Sequence, residues 1–474
     1  MPGVVPPPHL KDRIDRPVAI AILSVMALEI GARISGFDGF RYAAWVMLVM
    51  VTATSWRRLG FRESYLLALC VILAGVVAYR ADDPQGVLAA ALDQSSFLMA
   101  FIMLLGLLHE AASTSPSVAA CGAYMTQQPP GRRYPALYIG AGVMAVLFNL
   151  GVVSFLVPLI QRGIKTANPD DPLNDIRERR QISALLRGFG WSVIWSPTAV
   201  APLTLMQLIP GTDRRHWIVI GVVVYLVIMV MGMLEDYFRF RSYRPARRRP
   251  IPSPPYRAIG MFLAACAWLF GMSTIISTLT GDTIIFGLLV SCPIMLVGWV
   301  VVQNVGPGGG GVDAIGARFR TIAFENLPKA APVAVTLACS GFIGVAAAAL
   351  IPGGEVASAL GFDAMPDFVL LGLIPIALTC MSLLALSPIM MAVFFGSLFG
   401  NLPVMPADPT LIALAISCGW ALSMTFSPFA TVVLMINRVG GIPTRTLTWG
   451  WNFGYSVLAA AVLFAVFFVL TGGR

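Results

Sequence analysis

Apolar runs of about twenty residues recur along nearly all of this 474-residue chain, and that recurrence limits what it can fold into. A bilayer core about 30 Å thick is crossed by roughly twenty helical residues. Inside it every backbone N–H and C=O must be satisfied by the chain itself, which makes the helix the building unit for runs of this length. Charged residues amount to 12% and hydrophobic ones to 57%. Soluble domains carry about 25% charged residues, so this chain cannot clothe a water-facing surface. The mean hydropathy of +0.81 agrees. The sequence therefore predicts an all-α polytopic membrane protein.

Full spans are expected at 18–36, 39–55, 63–80, 94–112, 187–209, 217–237, 258–278, 284–304, 330–351, 410–436 and 450–471, eleven in all. Two other apolar stretches, 134–160 and 367–400, are too long for one crossing and too short for two. The first breaks at Asn149-Leu-Gly151 and the second at Ser387-Pro388, so both read as re-entrant hairpins. The charges support that reading. With the N-terminus in the cytoplasm, Arg57, Arg58, Arg62, Arg132, Arg133, the 165–187 connector, the 239–249 run, Arg318, Arg320, Lys329, Arg438 and Arg445 all fall inside. Arg214 and Arg215 are the exceptions. Making either hairpin a full crossing would destroy the bias. The expected location is a bacterial-type inner membrane.

The order of elements repeats. Residues 1–93 form a tail and scaffold helices, and 94–237 read as span, hairpin, interrupted helix and span. Residues 238–329 form a linker with two scaffold helices, and 330–474 repeat the four elements. Three crossings and a hairpin make an odd unit, so the second copy is expected upside down, its hairpin entering from the periplasmic side. Inverted repeats with broken helices are a layout of secondary transporters, whose sites lie where the repeats meet.

Both interrupted helices carry Ser-Pro inside an apolar run, in "GWSVIWSPTAVAPL" and "GWALSMTFSPFATVVLM". Pro197, Pro202 and Pro428 remove backbone donors, and free backbone groups at membrane depth persist only against protein or a wet cavity. The candidate substrate and ion site is therefore drawn from the breaks and the hairpin tips. It comprises Asn149, Gly151, Ser154, Ser196, Pro197, Thr198, Ser387, Pro388, Thr425, Ser427, Pro428 and Thr431. Half-helix N-termini suit an anion, whereas loose carbonyls near Asn149 and Ser196, and near Ser387 and Ser427, suit Na+. No side-chain metal site and no cofactor is expected beyond Na+ or H+ as a coupling ion. The seven cysteines show no metal or disulfide spacing.

These features resemble the ion transporter superfamily, which includes divalent anion/sodium symporters, arsenite pump membrane subunits, certain sodium/proton antiporters and large TRAP permeases. The likeness covers roughly 94–237 and 330–471. Family tips carry Ser-Asn-Thr; here "FNLGVVSFLVPL" keeps Asn149 and Pro158, with Phe148 and Leu150 replacing Ser and Thr. The second tip, "LSPIMMAVFFG", keeps Ser387 and places Pro388 where Asn is expected. "WSPTAV" and "FSPFAT" keep Ser-Pro from the family's broken-helix motif and lose its Asn. The resemblance implies the fold, secondary transport of a small organic or inorganic anion, and a homodimer. It does not carry over the family's sodium ligands.

Other readings are a permease subunit of a multicomponent transporter and, less favoured, a membrane-embedded enzyme. Three histidines and no large polar loop speak against the enzyme. Nucleic acid is not an expected partner; membrane lipid is. Glu29 and Arg33 are one turn apart and read as a structural pair, and His109-Glu110 as interfacial. Glu235-Asp236 are expected to face water, 165–187 to form a cytoplasmic connector with a surface helix, and 304–320 a flexible linker. The sparse buried charge points to recognition by helix dipoles, amides and hydroxyls instead of an arginine clamp.

Overall fold

The computed structural model describes residues 8–112, 115–167, 170–243, 252–305, 310–351, 361 and 365–473, and every regular element among them is helical. Helices α1 (Pro8–Ser35), α2 (Asp38–Ser55), α3 (Phe61–Arg80) and α4 (Pro84–Ala112) open the chain. They are followed by α5 (Pro116–Thr126), α6 (Pro130–Phe148), α7 (Gly151–Ala167), α8 (Asn174–Ser192), α9 (Val200–Leu208) and α10 (Arg214–Phe240). Next come α11 (Tyr256–Thr280), α12 (Ile284–Val305), α13 (Gly311–Arg320) and α14 (Ala331–Ala349). The last third holds α15 (Asp367–Ser382), α16 (Pro388–Gly400), α17 (Pro409–Phe426), α18 (Thr431–Gly440) and α19 (Phe453–Thr471).

Among the described residues, nine helical stretches are long and apolar enough to cross a membrane, Pro409–Gly440 among them despite its interruption. The two other expected spans correspond to α2 and to the broken pair α8–α9. The predicted polytopic helical fold is what the chain adopts. Two boundaries differ from expectation. Residues 311–320 form α13 and continue through a π turn (Thr321–Asn326) and a 3-10 turn (Leu327–Ala330) into α14, so only part of 304–320 could be a linker. Residues 306–309 of that segment lie outside the described residues. The 165–187 connector is short, because α8 already begins at Asn174; the surface helix expected there is corrected, since α8 is buried from Gln181 to Ser192.

Two compact units emerge, Met1–Ser115 with Ala265–Leu350 and Pro116–Ala264 with Ile351–Arg474. This partition leaves α4 and α14, the first span of each expected repeat, in the first unit. The segments expected to form the hairpin, broken helix and last span of each repeat fall in the second.

The first unit is built on close approach of small residues. A Cβ on Gly341 of α14 would come within 2.8 Å of the Gln94 carbonyl oxygen on α4, and membrane helices associate best where such residues let backbones meet. Val77, Ala91, Phe342 and Ala346 form a buried cluster joining α3, α4 and α14. The carboxylates of the buried Glu29 and the half-exposed Asp93 are both paired. Glu29 accepts from Arg33 at 3.3 Å and from the Ser96 hydroxyl at 3.0 Å, as the structural reading expects. Asp93 accepts from Arg41 and from the Trp45 indole at 3.0 Å.

The second unit has helix starts set by side-chain caps. Asp213 accepts from the Arg215 and His216 amides ahead of α10, and Asp408 accepts from Thr410 and Leu411 ahead of α17. Such caps satisfy amides that the helix itself leaves free. The Asp213 amide in turn donates to the Thr410 hydroxyl at 3.0 Å, locking the two starts together.

Candidate functional site

Both Ser-Pro segments interrupt their helices in the same way. Helix α8 ends at Ser192 and resumes as α9 at Val200; α17 ends at Phe426 and resumes as α18 at Thr431. The Ser196 amide donates to the Ser192 carbonyl at 2.9 Å, and the Ser427 amide to the Ser423 carbonyl at 2.8 Å. Ala199 and Ala430 then donate to the carbonyls of Ser196 and Ser427 at 3.0 and 3.1 Å. Their dihedrals match too, at φ −69, ψ 140 and φ −63, ψ 136. The serine hydroxyls one turn upstream, Ser192 and Ser423, both donate three residues back at 2.7 Å. A residue before proline is pushed out of the helical region, which is why the break falls at the serine. Ser427 accordingly sits at φ −86, ψ 124.

Each break is tied to the first arm of its own hairpin. The Thr198 hydroxyl donates to the Val146 carbonyl near the end of α6 at 2.6 Å, and the Ser427 hydroxyl to the Ser382 carbonyl at the end of α15 at 2.9 Å. Those are carbonyls in the last turn of a helix, where the ladder runs out of donors. Eight residues before each break serine a glycine lets the helix meet that arm. A Cβ on Gly188 would run into the Tyr138 backbone, and one on Gly419 would lie 2.8 Å from the Leu378 Cβ. The second halves cross over. Helix α9 packs on α16, where a Gly396 Cβ would lie 2.8 Å from Leu205. Helix α18 packs on α7, where Gln161 donates to the Gly440 carbonyl at 2.8 Å. The two broken helices cross at Gly190, whose Cβ would sit 3.4 Å from Met424.

The expected site residues divide into three groups. Ser196, Thr198 and Ser427 are buried at the breaks, with Ser196 and Thr198 hydroxyls 3.3 Å apart; Pro197 and Pro428 follow the break serines. At the tips, Asn149 ends α6 with φ 45 and Gly151 opens α7; Ser387 precedes Pro388, the first residue of α16. Neither the Asn149 side-chain amide nor the Ser387 hydroxyl makes a hydrogen bond among the described residues, although the Asn149 backbone amide donates to the Ala145 carbonyl at 2.9 Å. The remaining three are placed differently. Ser154 bonds within its own helix, Thr425 meets Ser456 on α19 at 3.0 Å, and Thr431 opens α18 with its side chain exposed. Thr425 thus points toward α19 and not into the break.

Sequence reasoning missed two features. Ala385, in the second tip, has φ 61, a left-handed conformation that costs an alanine roughly 1 kcal/mol or more. The larger omission is Arg187, which is only 2% exposed. Its guanidinium donates to Asn452 at 2.8 Å and to Glu235 at 2.9 Å, reaches the Tyr134 hydroxyl at 3.4 Å and lies 3.9 Å from the Tyr455 ring centroid. Glu235 also pairs with Arg239 at 2.8 Å, and Asp236 accepts a two-pronged contact from Arg180, the shortest arm 2.7 Å. The expectation that Glu235 and Asp236 face water is therefore corrected: their carboxylates are mostly buried and paired with arginines. Arg180 and Arg187 are seven residues apart and share a helix face, a periodicity that charge counting alone overlooks. The side chains of His109 and Glu110 lie outside the described residues.

No metal-binding group of three His, Cys, Asp or Glu residues occurs among the described residues. No family model matches the chain, and no curated protein matches it in sequence. Its fold is similar to that in a crystal structure of the YdaH transporter of Alcanivorax borkumensis, reported to have an unusual topology; the two are 14% identical with a TM-score of 0.55, over 87% of this chain and 98% of that one.

Proposed function

We propose that the chain is a secondary active transporter that moves a small anionic solute across the inner membrane by alternating access, driven by a sodium or proton gradient. The observation that carries the proposal is the pair of matched helix breaks, each followed by a half-helix whose N-cap residue is an alanine. Ala199 and Ala430 offer no side-chain acceptor, so the first amides of α9 and α18 have no side-chain cap. Uncapped helix starts carry partial positive charge and accept anions. The free Asn149 side-chain amide and Ser387 hydroxyl at the tips add polar groups that need a partner. The likeness in fold to a transporter, and the resemblance of the tips and breaks to the ion transporter superfamily, support the same reading.

In this proposal the two sets of hairpin, broken helix and span form an inverted pair, and the hairpins enter the membrane from opposite sides. A homodimer would cover part of the apolar face of α3, where Val71, Ile72 and Tyr79 are exposed. The test is solute uptake into proteoliposomes by Ser196→Ala, Ser427→Ala and Asn149→Leu, each with and without sodium and proton gradients. Uptake should fall at least tenfold in each variant while the protein stays folded. Wild-type rates in all three would remove the breaks and tips from the mechanism.

A further inference from the structure

A second feature of the same unit lies apart from the breaks. Between α10 and α19 runs an apolar groove of about 540 Å³, lined by Val227, Val230 and Leu234 on one side and Leu458 and Val462 on the other. The spacing 227, 230, 234 follows one helix face over two turns, about 11 Å, so the groove is elongated along the helix axis. At one end stand Arg239 and Glu235. Beside them Arg239 and Arg179 both reach the Trp451 carbonyl, at 3.1 and 3.5 Å. Glu235 is shared between Arg187 and Arg239, while Asp236 is taken by Arg180. Two guanidiniums thus share the Glu235 carboxylate, and beside them Arg179 donates only to the Gly450 and Trp451 carbonyls among the described residues, so positive charge exceeds negative at this end of the apolar groove.

We propose that this groove binds one anionic diacyl phospholipid, its phosphate against Arg239 and Arg179 and an acyl chain along Val227–Leu234. Shape and charge both select that occupant. A polar solute would leave the aliphatic walls unmatched, and a neutral lipid would leave the surplus charge unmatched. A second copy of this chain fits less well, because a two-fold axis along the membrane normal brings the same arginine end to the same depth on both copies, setting like charges against each other. Each basic side chain near an anionic headgroup strengthens binding by roughly fivefold. The inference is independent of what the protein transports.

The test uses full-length purified protein in non-ionic detergent, titrated with phosphatidylglycerol or with phosphatidylcholine of the same chains. Bound lipid is counted by native mass spectrometry, and stability is followed by thermal unfolding, since a ligand of the native state raises the apparent midpoint. Phosphatidylglycerol should bind with a stoichiometry of one and raise the midpoint, and phosphatidylcholine should bind several-fold more weakly. Arg239→Gln should weaken phosphatidylglycerol by roughly fivefold. Because Arg239 also holds the Trp451 carbonyl, Val230→Trp serves as the second variant; its exposed side chain fills the groove with the arginines intact, and should remove the bound lipid. Equal binding of the two lipids, undiminished binding by Val230→Trp, a shift reproduced by glycerol phosphate alone, or a dimer mass abolished by Val230→Trp would each overturn the proposal.

Discussion

The two broken helices share a backbone and differ in what they carry. Ser192 and Ser423, Ser196 and Ser427, and Ala199 and Ala430 are each 231 positions apart and make the same hydrogen bonds. At the same offset, however, Arg187 of α8 corresponds to Cys418 of α17. One half-helix threads a guanidinium through a shell of Glu235, Asn452, Tyr134 and Tyr455; the other is wholly uncharged from Thr410 to Phe426. The shared part is what the backbone needs in order to unwind in a dry environment. The unshared part joins α8 to α10 and to the turn before α19.

The sharpest way to break this comparison is to exchange the loads. Arg187→Gln leaves Glu235 buried with one partner instead of two, and removing one member of a buried ion pair costs about 3–5 kcal/mol. Cys418→Ala should cost only about 1 kcal/mol, the price of a small cavity. Thermal unfolding in detergent would read both, and near-equal losses would show that the arginine shell is not a structural anchor.

The glycines test whether the arm crossings are equally tight. Gly188→Ala meets backbone of Tyr138, which cannot move aside, and should destabilise by about 2–3 kcal/mol. Gly419→Ala meets the Leu378 side chain and Pro375, and about 1–2 kcal/mol is expected. A reversed order would mean that the second crossing is the more rigid one.

Next in size are the hydroxyl ties. Thr198→Val and Ser427→Ala each strip a donor from a helix-end carbonyl, and a loss of about 1 kcal/mol is expected for both. If the ties position the hairpin tips, uptake should fall by more than that stability loss explains. At the second tip, Ala385→Gly relieves an alanine at positive φ and should stabilise by about 1 kcal/mol, and Asn149→Gly at the first tip should stabilise by a similar amount, because φ 45, ψ −132 lies outside the left-handed helical well that asparagine tolerates.

The smallest expected effect is one of pH. The His216 and Arg215 amides hold the Asp213 carboxyl below the usual carboxylate range. A carboxylate whose folded value is lowered contributes its cap fully above its unfolded pKa, near 3.9, and loses it as pH falls through the lowered value. Asp213→Asn should keep most of the cap and flatten that acid-side decline in unfolding temperature, while Asp408→Asn reports the equivalent cap on α17.

Much of the fold was legible in the residues. Runs near twenty apolar residues announce helices wherever water is excluded, and Ser-Pro or Asn-Leu-Gly inside such a run announces its break, because proline deletes a donor and fixes the preceding residue outside the helix. These are local consequences of covalent geometry, so they can be read one segment at a time. What Arg187 touches cannot be read that way. Its partners Glu235 and Asn452 lie 48 and 265 residues away, and only the packing of α8 against α10 and the turn before α19 brings them within hydrogen-bonding distance. The same holds for Thr425, whose Ser456 partner draws it away from the break. Composition and local sequence determined that this chain is a bundle of membrane helices and where they unwind. Tertiary packing decided which polar groups are consumed by structure and which stay free, because a buried polar group must find a partner and the nearest one in space is seldom the nearest in sequence.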